Sequence, residues 1–469
     1  MLSVSSINDR GHEISSLRRH KPSQVSDSNS TSIDTVLYAV DFVTLGAQMS
    51  AITVGLQVWR APLSRLMKVK IILQQPSTRA SNMRYFAIFV LLSLATVVLS
   101  DIQHSHGRLF PVRLLGHQIE ELIERDLNFT LGLLHLLPFR KRAGSARVLT
   151  PSQLRTIYNV PGGANAGSGQ TVAVVVAYGA STAESDLAAF SSRYGLPSCT
   201  TANGCFKKVD QNGGTNIPAD DTTQNGGWSL ETNLDLQTIH SVAPYAKIVL
   251  VCAKSAGSDL YTAVKTAAGL SSIVSMSWGG AEGSSVYTYS ENIFTSGHTN
   301  GVSFFASTGD DGQKSGYPSM SPNVVAVGGT TTYTNTDGSL ASESAWSGTG
   351  GGCSAVYSMS TAQKTNSLAV SKCGSKRATP DIAFDADPNT GVTVYYSGSW
   401  YTVGGTSLAT PISSGRTAAV KASSGGSVFD ASYFYSGQRS YRDVITGSNA
   451  NYNAGTGYDL TTGLGVWLN

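Results

Sequence analysis

From about residue 149 onward, short apolar runs alternate with stretches that can form helices. Five of the runs are TVAVVVAYG, AKIVLVCA, SSIVSMSWGG, GVSFFASTG and NVVAVGGT. Runs of this length, rich in Val and Ile, are typical of strands buried on both faces of a sheet. We therefore predict an α/β fold for residues 147–469, with a mostly parallel central sheet and helices on both faces. The loops that follow such strands are where an active site is expected.

The first 146 residues show a different pattern. Residues 1–82 open polar and serine-rich and are left unassigned; a true start at Met83 would make them an error of gene prediction. Residues 83–100 place a Met and an Arg before an apolar run shorter than the roughly 20 residues of a membrane span. We predict a secretory signal peptide there, with an uncleaved signal anchor as the alternative. Residues 101–146 end near Arg140–Arg142, either a processing site or a solvated cluster of charges.

Charge and cysteine usage narrow the class of protein. Only 13% of the residues are charged, the formal net charge is +3, and no basic stripe is present, so we predict no nucleic-acid partner. The five cysteines predict two short-range disulfides, Cys199 with Cys205 and Cys353 with Cys373, and a buried thiol at Cys252. Disulfides favour an exported protein over a cytosolic one, and no cysteine has zinc spacing.

The sharpest motif is VGGTSLATP, which places Ser407 at the start of a predicted helix. Gly404 and Gly405 permit close approach by a substrate backbone, and helix N-terminal amides favour developing negative charge. Ser407 is therefore the candidate nucleophile. The GTSxxxP pattern after a strand is similar to the nucleophile motif of subtilisin-like folds.

A serine nucleophile needs a base, and the usual one is missing. The sequence has no HGT motif, and the first apolar run contains no acid. Instead, Glu231 and Asp235 lie four residues apart, on one face of a predicted helix. Like charges at this spacing repel, which raises at least one pKa and favours a shared proton. The pair is a candidate base for acid conditions; a solvated helix face is the alternative, which the apolar flanking residues disfavour.

Four segments together resemble the sedolisin family of serine-carboxyl peptidases: WSLExxxDLxxxHxxAP, FFASTGDDG, YPSMSPNVVAVGGT and VGGTSLATP, in that order. The resemblance covers about two-thirds of the chain and implies a subtilisin-like three-layer fold. It implies Glu231 as the general base contacting Ser407 and Asp235 as the carboxylate that orients Glu231 and shares its proton. It also implies Asp310 as the oxyanion-hole acid, since Asp310 and not Asp311 directly follows the glycine. SMSWGG resembles the strand along which the substrate pairs.

The same resemblance implies a calcium site near the C-terminus. The family's ligands fall on Asp443, Val444, Gly455, Gly457 and Asp459. Two carboxylates and several flexible carbonyls suit Ca²⁺, which takes six or more oxygens. A rival acidic cluster, Asp381, Asp385 and Asp387, stands before a DPNTG turn signal and is predicted to be structural.

We therefore predict a monomeric serine-type endopeptidase or tripeptidyl-peptidase that cleaves protein or peptide substrates in acid. It would be secreted or lie in an acidic lytic compartment, without a membrane partner unless residues 83–100 stay uncleaved. Residues 101–146 would be a short or truncated prosegment, shorter than the family's. One alternative is a neutral subtilisin-like peptidase that uses His240 as its base. The other is an inactive secreted protein that keeps the fold and binds a partner.

Overall fold

The computed structural model divides the chain into two compact units, residues 1–111 and residues 112–469. The first unit is described only at five strands. In the second, residues 148–468 are described, apart from residues 222–226, 283–285 and 427. The predicted signal segment and prosegment therefore lie outside the described residues.

The strands of the first unit form an antiparallel sheet. They are β1 Ser16–Arg19, β2 Ser23–Gln24, β3 Ile33–Asp41, β4 Ile52–Trp59 and β5 Lys68–Leu73. Their order is β1-β3-β4-β5, and β2 also pairs with β3. These strands fall in the segment to which the sequence analysis assigned no domain.

The second unit is built on an eight-stranded sheet with three small two-stranded sheets beside it. Its strands are β6 Thr171–Ala177, β7 Phe206–Asp210, β8 Lys247–Ala253, β9 Ile273–Met276, β10 Ser303–Ser307, β11 Val325–Thr334, β12 Leu340–Ala345, β13 Gly352–Ser358, β14 Lys376–Thr379, β15 Ile382–Asp385, β16 Val392–Tyr396, β17 Ser399–Val403, β18 Tyr441–Arg442 and β19 Val466–Trp467. The large sheet has the order β12-β11-β10-β9-β6-β8-β7, with β15 also beside β11.

Every pair in the large sheet is parallel except β11 with β12. The five apolar runs supply β6, β8, β9, β10 and β11, and nearly all of their residues are buried. Burial on both faces explains why these strands are continuously apolar. The predicted α/β fold with a mostly parallel sheet is thus confirmed.

Eight α-helices are described in the second unit. They are α1 Pro151–Ile157, α2 Ala183–Tyr194, α3 Gly227–Val242, α4 Asp259–Leu270, α5 Val286–Thr299, α6 Ser367–Cys373, α7 Thr406–Ser424 and α8 Ala431–Phe434. Helices α3 and α7 pack against each other on one face of the sheet, and α4 and α5 cover the other. Apart from its first residue, α3 is buried along its whole length, between α7, α2 and α1. None of the described helices has the length and apolar composition needed to cross a bilayer.

The cysteine prediction is confirmed. Cys199 is bonded to Cys205 and Cys353 to Cys373, while Cys252 is a buried free thiol on β8. Burial raises the pKa of that thiol to about 12, so it stays protonated and packs as a small apolar side chain.

Candidate active site

Ser407 is presented by a tight turn between β17 and α7. Only Gly404 and Gly405 separate the strand from the helix. Gly405 has a φ of +101°, which L side chains rarely adopt, and a Cβ there would come within 2.5 Å of Asp310 Oδ2. The glycine is therefore required by the turn that places Ser407 in the first turn of α7, where the residue is 6% exposed.

Glu231 and Asp235 project from α3 into the same buried region. Glu231 is 2% exposed and Asp235 is fully buried. Asp235 Oδ1 accepts a hydrogen bond of 2.6 Å from the hydroxyl of Ser277. Asp235 Oδ2 and Glu231 Oε1 have no hydrogen-bond partner among the described residues. Buried oxygens without donors are costly when ionised, so a proton shared within the pair would stabilise both.

The surroundings raise the pKa of both carboxyl groups. For Glu231 the main cause is burial, followed by the negative charge of Asp235; the hydroxyl of Ser407 lowers the pKa, and Asp310 raises it. For Asp235 burial raises the pKa well above its usual range, while the hydrogen bond from Ser277 lowers it. The solvated-face alternative is therefore wrong for this helix.

The hydroxyl of Ser407 has two neighbouring acceptors. It donates to the carbonyl of Ser277 at 3.4 Å, a long O–H···O distance. It also interacts with the Glu231 carboxyl, whose pKa it lowers. A carboxyl group is therefore within reach of the nucleophile's hydroxyl, as general-base activation requires.

Asp310 reaches the same turn from the end of β10. Its Oδ1 accepts two hydrogen bonds from Thr406, 2.7 Å from the amide and 2.7 Å from the hydroxyl. The neighbouring Asp311 instead accepts the amide of Gln313 at 3.0 Å and is exposed. Of the two adjacent acids, Asp310 is the one beside Ser407.

His240 lies far from Ser407. It follows Glu231 by nine residues on α3, about 13 Å along the helix axis. Its Nε2 lies 2.8 Å from the carbonyl oxygen of Pro197, and burial lowers its pKa to about 4. The alternative in which His240 serves as the base has no support in this geometry.

The segment predicted to pair with substrate, Ser275–Gly280, begins with the last two residues of β9 and continues beyond the strand. Its outer end is already paired, because Gly280 exchanges two backbone hydrogen bonds of 2.8 Å with Tyr317. In the segment before it, Ser277 and Trp278 are buried and Gly279 is partly exposed.

The five residues predicted to bind calcium meet in one loop near the C-terminus. The amide of Gly457 donates to Asp443 Oδ2 at 2.8 Å, and the amide of Gly455 donates to Asp459 Oδ2 at 3.0 Å. Val444 follows Asp443 and is buried. Two carboxylates and three backbone carbonyls from this loop fit the oxygen-rich donor set of Ca²⁺. Elsewhere too, the described residues contain no cluster of three or more Asp, Glu, His or Cys side chains suited to a metal.

The rival acidic cluster has structural partners. Asp381 forms a buried ion pair of 2.5 Å with Arg377. Asp387 accepts the amide of Asn389 at 2.8 Å, as expected for a turn. These contacts support a structural role for Asp381 and Asp387, whereas Asp385 is buried at the end of β15 and accepts the amide of Thr332 at 3.1 Å.

Sequence reasoning did not single out Ser277 or Thr406, although both contact an acid of the site. Each stands inside a motif already noted, SMSWGG and VGGTSLATP. Their partners are 42 and 96 residues away along the chain, so the contacts arise only from the fold.

Comparison with known proteins agrees with this geometry. The sequence profile of the Subtilase family matches residues 212–445. The chain is 31% identical over 364 residues to sedolisin from Pseudomonas sp. (strain 101), which covers 69% of this chain and 60% of that protein. It is 29% identical over 359 residues to kumamolisin from Bacillus sp. (strain MN-32), which covers 70% and 63%. The chain thus spans about three-fifths of the length of these curated relatives.

A solved structure extends the comparison to the fold. Pseudomonas sedolisin, described as a serine-carboxyl proteinase complexed with two molecules of pseudo-iodotyrostatin, matches with a TM-score of 0.60 at 31% identity. The match covers 69% of this chain and 96% of that one. At this identity over nearly all of a solved relative, the chain belongs to the sedolisin family of serine-carboxyl peptidases.

Proposed function

We propose that the protein hydrolyses peptide bonds in acid through Ser407, Glu231 and Asp235, with Asp310 as the donor to the oxyanion. One observation carries the proposal: two buried carboxyl groups on α3 stand beside a serine at the N-terminus of α7. The imidazole on the same helix is about 13 Å away along its axis. Carboxyl groups are therefore the base that this site offers.

The acylation step follows from the contacts. Ser407 Oγ attacks the carbonyl carbon of the substrate, and its proton passes to Glu231. Glu231 then gives a proton to the leaving amine as the C–N bond breaks, which leaves an ester on Ser407. Water enters and repeats the sequence in reverse, so that Glu231 is again deprotonated at the end. Asp235 holds the second proton of the pair and limits the charge that builds up on Glu231.

Asp310 supplies the hydrogen bond that the oxyanion needs. An ionised carboxylate only accepts hydrogen bonds, so Asp310 acts when protonated. Because Thr406 donates twice to Oδ1, the proton is favoured on Oδ2, the oxygen nearest Gly405. A donor at Oδ2 lies next to the turn that carries Ser407.

The working pH follows from these protonation states. The reaction needs a proton on Asp310 and one shared by Glu231 and Asp235. Ordinary carboxyl pKa values are near 4, and burial raises those of Glu231 and Asp235. We expect the highest activity at roughly pH 3–5, with a loss towards pH 7.

The substrate is proposed to be a protein or peptide bound in extended form along Ser277–Gly279. Backbone pairing of this kind tolerates many side chains. Both endopeptidase and tripeptidyl-peptidase action are compatible with a substrate bound along Ser277–Gly279. The two activities are distinguished by the products released from internally quenched peptides and from peptides with a free amino terminus.

Calcium is proposed as a structural ion in the loop of Asp443 and Asp459. When bound, it would neutralise the two carboxylates and fix the loop, which stabilises the native state by mass action. Secretion, or delivery to an acidic compartment, is proposed from the acid chemistry and from the two disulfides.

The test of the proposed function is Ser407→Ala against Ser413→Ala. Ser413 is buried six residues later on α7 and its hydroxyl has no partner among the described residues, so it is a matched control. Peptide hydrolysis at about pH 4 should vanish in Ser407→Ala and persist in Ser413→Ala. Glu231→Gln should lower turnover by several orders of magnitude. Wild-type turnover in Ser407→Ala would reject the proposed function.

A further inference from the structure

The hydroxyl of Ser277 lies between the acid pair and the backbone of the nucleophile. It is 2.6 Å from Asp235 Oδ1 and 3.3 Å from the carbonyl oxygen of Ser407. Ser277 is 6% exposed and Asp235 is fully buried. A buried hydroxyl has one proton to donate and can rotate to choose its acceptor.

The carbonyl of Ser407 is accessible to this hydroxyl for a reason found in the sequence. In a helix that carbonyl would accept the amide of the residue four positions later. That residue is Pro411, inside α7, and proline has no N–H. The hydroxyl of Ser277 therefore has a second acceptor besides Asp235.

We propose that Ser277 is a positioning residue that holds Asp235 Oδ1 as an acceptor and so directs the proton of the acid pair to Oδ2, the oxygen without a donor among the described residues. Its contact with Asp235 Oδ1 is shorter than its contact with the carbonyl of Ser407, so the hydroxyl donates to Asp235. The hydrogen bond is strongest when Asp235 is ionised. This inference rests on the proposed function, in which Glu231 and Asp235 share a proton.

The chemical advantage is a hydrogen bond that persists in both protonation states of Asp235. A fully buried carboxylate oxygen without a donor is costly when ionised. With Ser277 donating to Oδ1, the proton can move between Glu231 and Asp235 Oδ2 while Oδ1 keeps its hydrogen bond. No atom leaves or enters the pair, and the hydroxyl remains the donor throughout.

Ser277 is the neutral side chain that contacts the pair formed by Glu231 and Asp235, and the charged groups around this pair lie as follows. Asp310 after β10 is the ionisable group outside the pair that raises the pKa of Glu231. The charged side chains of the other packed helices have partners elsewhere: Asp186 of α2 contacts Asn233, Arg155 of α1 contacts the carbonyl of Ser241, and Arg416 of α7 contacts the carbonyl of Tyr158. Strand β16 meets α3 through the backbone of Tyr395, which bonds to Gln237, and β6 carries no ionisable residue.

The test is the pH profile of kcat and kcat/KM in Ser277→Ala. The hydroxyl stabilises ionised Asp235, so its removal makes the pair hold its second proton to higher pH. The acid limb of kcat/KM should move upward by about one to two pH units. At the optimum, kcat should fall roughly tenfold with KM little changed. The control is Ser413→Ala, since Ser413 is buried on α7 and its hydroxyl has no partner among the described residues.

A pH profile of Ser277→Ala that superimposes on those of wild type and Ser413→Ala would overturn the inference. If Ser277→Ala does not fold, Ser277→Cys decides instead: a thiol is a poor donor, so the same upward shift is expected, and a wild-type acid limb would again overturn it. Ser407→Ala is measured in parallel. Activity there refutes the proposed function itself, whereas an inactive Ser407→Ala beside an unshifted Ser277→Ala refutes only the role of Ser277.

Discussion

At the scale of single residues, Thr406 bears on which oxygen of Asp310 would carry the proposed proton. Thr406 donates twice to Oδ1, which favours Oδ1 as the acceptor and Oδ2 as the oxygen that would be protonated. An asparagine at this position would be oriented by the same two donors, with its carbonyl at Oδ1 and its NH₂ group at Oδ2. The substitution therefore replaces a titrating donor with a permanent one.

We expect Asp310→Asn to retain part of the activity and to lose less of it than wild type between about pH 4 and pH 7. The physical reason is that the amide donates at every pH, whereas the carboxyl group donates only when protonated. The measurement is kcat/KM across this range for both proteins. Asp311→Asn is the matched control and should follow wild type. A loss in Asp310→Asn that parallels wild type would show that the oxyanion donor is not what titrates.

At the scale of structural elements, the loop that holds Asp443 and Asp459 brings two carboxylates together near the C-terminus. Asp459 also accepts the amides of Thr461 and Thr462 at 2.8 Å, so its removal would damage the loop itself. Asp443 is exposed and accepts only the amide of Gly457 among the described contacts. Asp443→Asn removes one charge and keeps the oxygen acceptor, which makes it the cleaner probe of a bound cation.

We expect a calcium chelator to lower the melting temperature of the wild-type protein and to have a much smaller effect on Asp443→Asn. At a calcium concentration of 100 times Kd, bound ion stabilises the native state by about 2.7 kcal/mol. Calorimetric titration with Ca²⁺ should show one site in wild type and weaker binding in the variant. Asp337→Asn, an exposed acid in another turn, is the control. An equal response to chelator in all three proteins would refute the site.

The sequence alone predicted the strands and helices that bury apolar surface. It did not predict the contacts between residues that lie far apart along the chain. The strands β6, β8 and β10 are apolar on both faces, which marks a parallel sheet. Glu231 and Asp235 were found because their pairing is local, one turn apart on a helix. The contact of Ser277 with Asp235 joins residues 42 positions apart, so no local sequence pattern encodes it. The burial of Asp385 was likewise invisible, because its environment is formed by β11 and Tyr158.

At the scale of the whole molecule, the buried ionisable groups make stability depend on pH. Burial raises the pKa of Glu231, Asp235 and Asp385 well above the usual range. Below about pH 4 these groups are protonated in both the folded and the unfolded chain. As pH rises, the unfolded chain loses their protons first, so the free energy of unfolding falls until the folded groups titrate. His240 acts in the opposite sense, because its pKa is lowered to about 4 and the unfolded chain protonates it first as pH falls from about 6.5.

The last prediction uses two substitutions that should change the pH dependence of the free energy of unfolding in opposite directions. In a Ser407→Ala background, which prevents self-digestion, the free energy of unfolding should fall from pH 5 to pH 7 at saturating calcium. Each raised carboxyl contributes up to about 1.4 kcal/mol per pH unit to that fall. Asp385→Asn removes one such group and should flatten the dependence. His240→Gln removes the opposing group and should steepen it, whatever it does to the absolute stability. Denaturant unfolding at several pH values measures both slopes. Slopes that stay unchanged in both variants would mean that neither buried group changes its pKa on folding, whereas opposite changes would show that burial raises the pKa of Asp385 and lowers that of His240 in the folded protein.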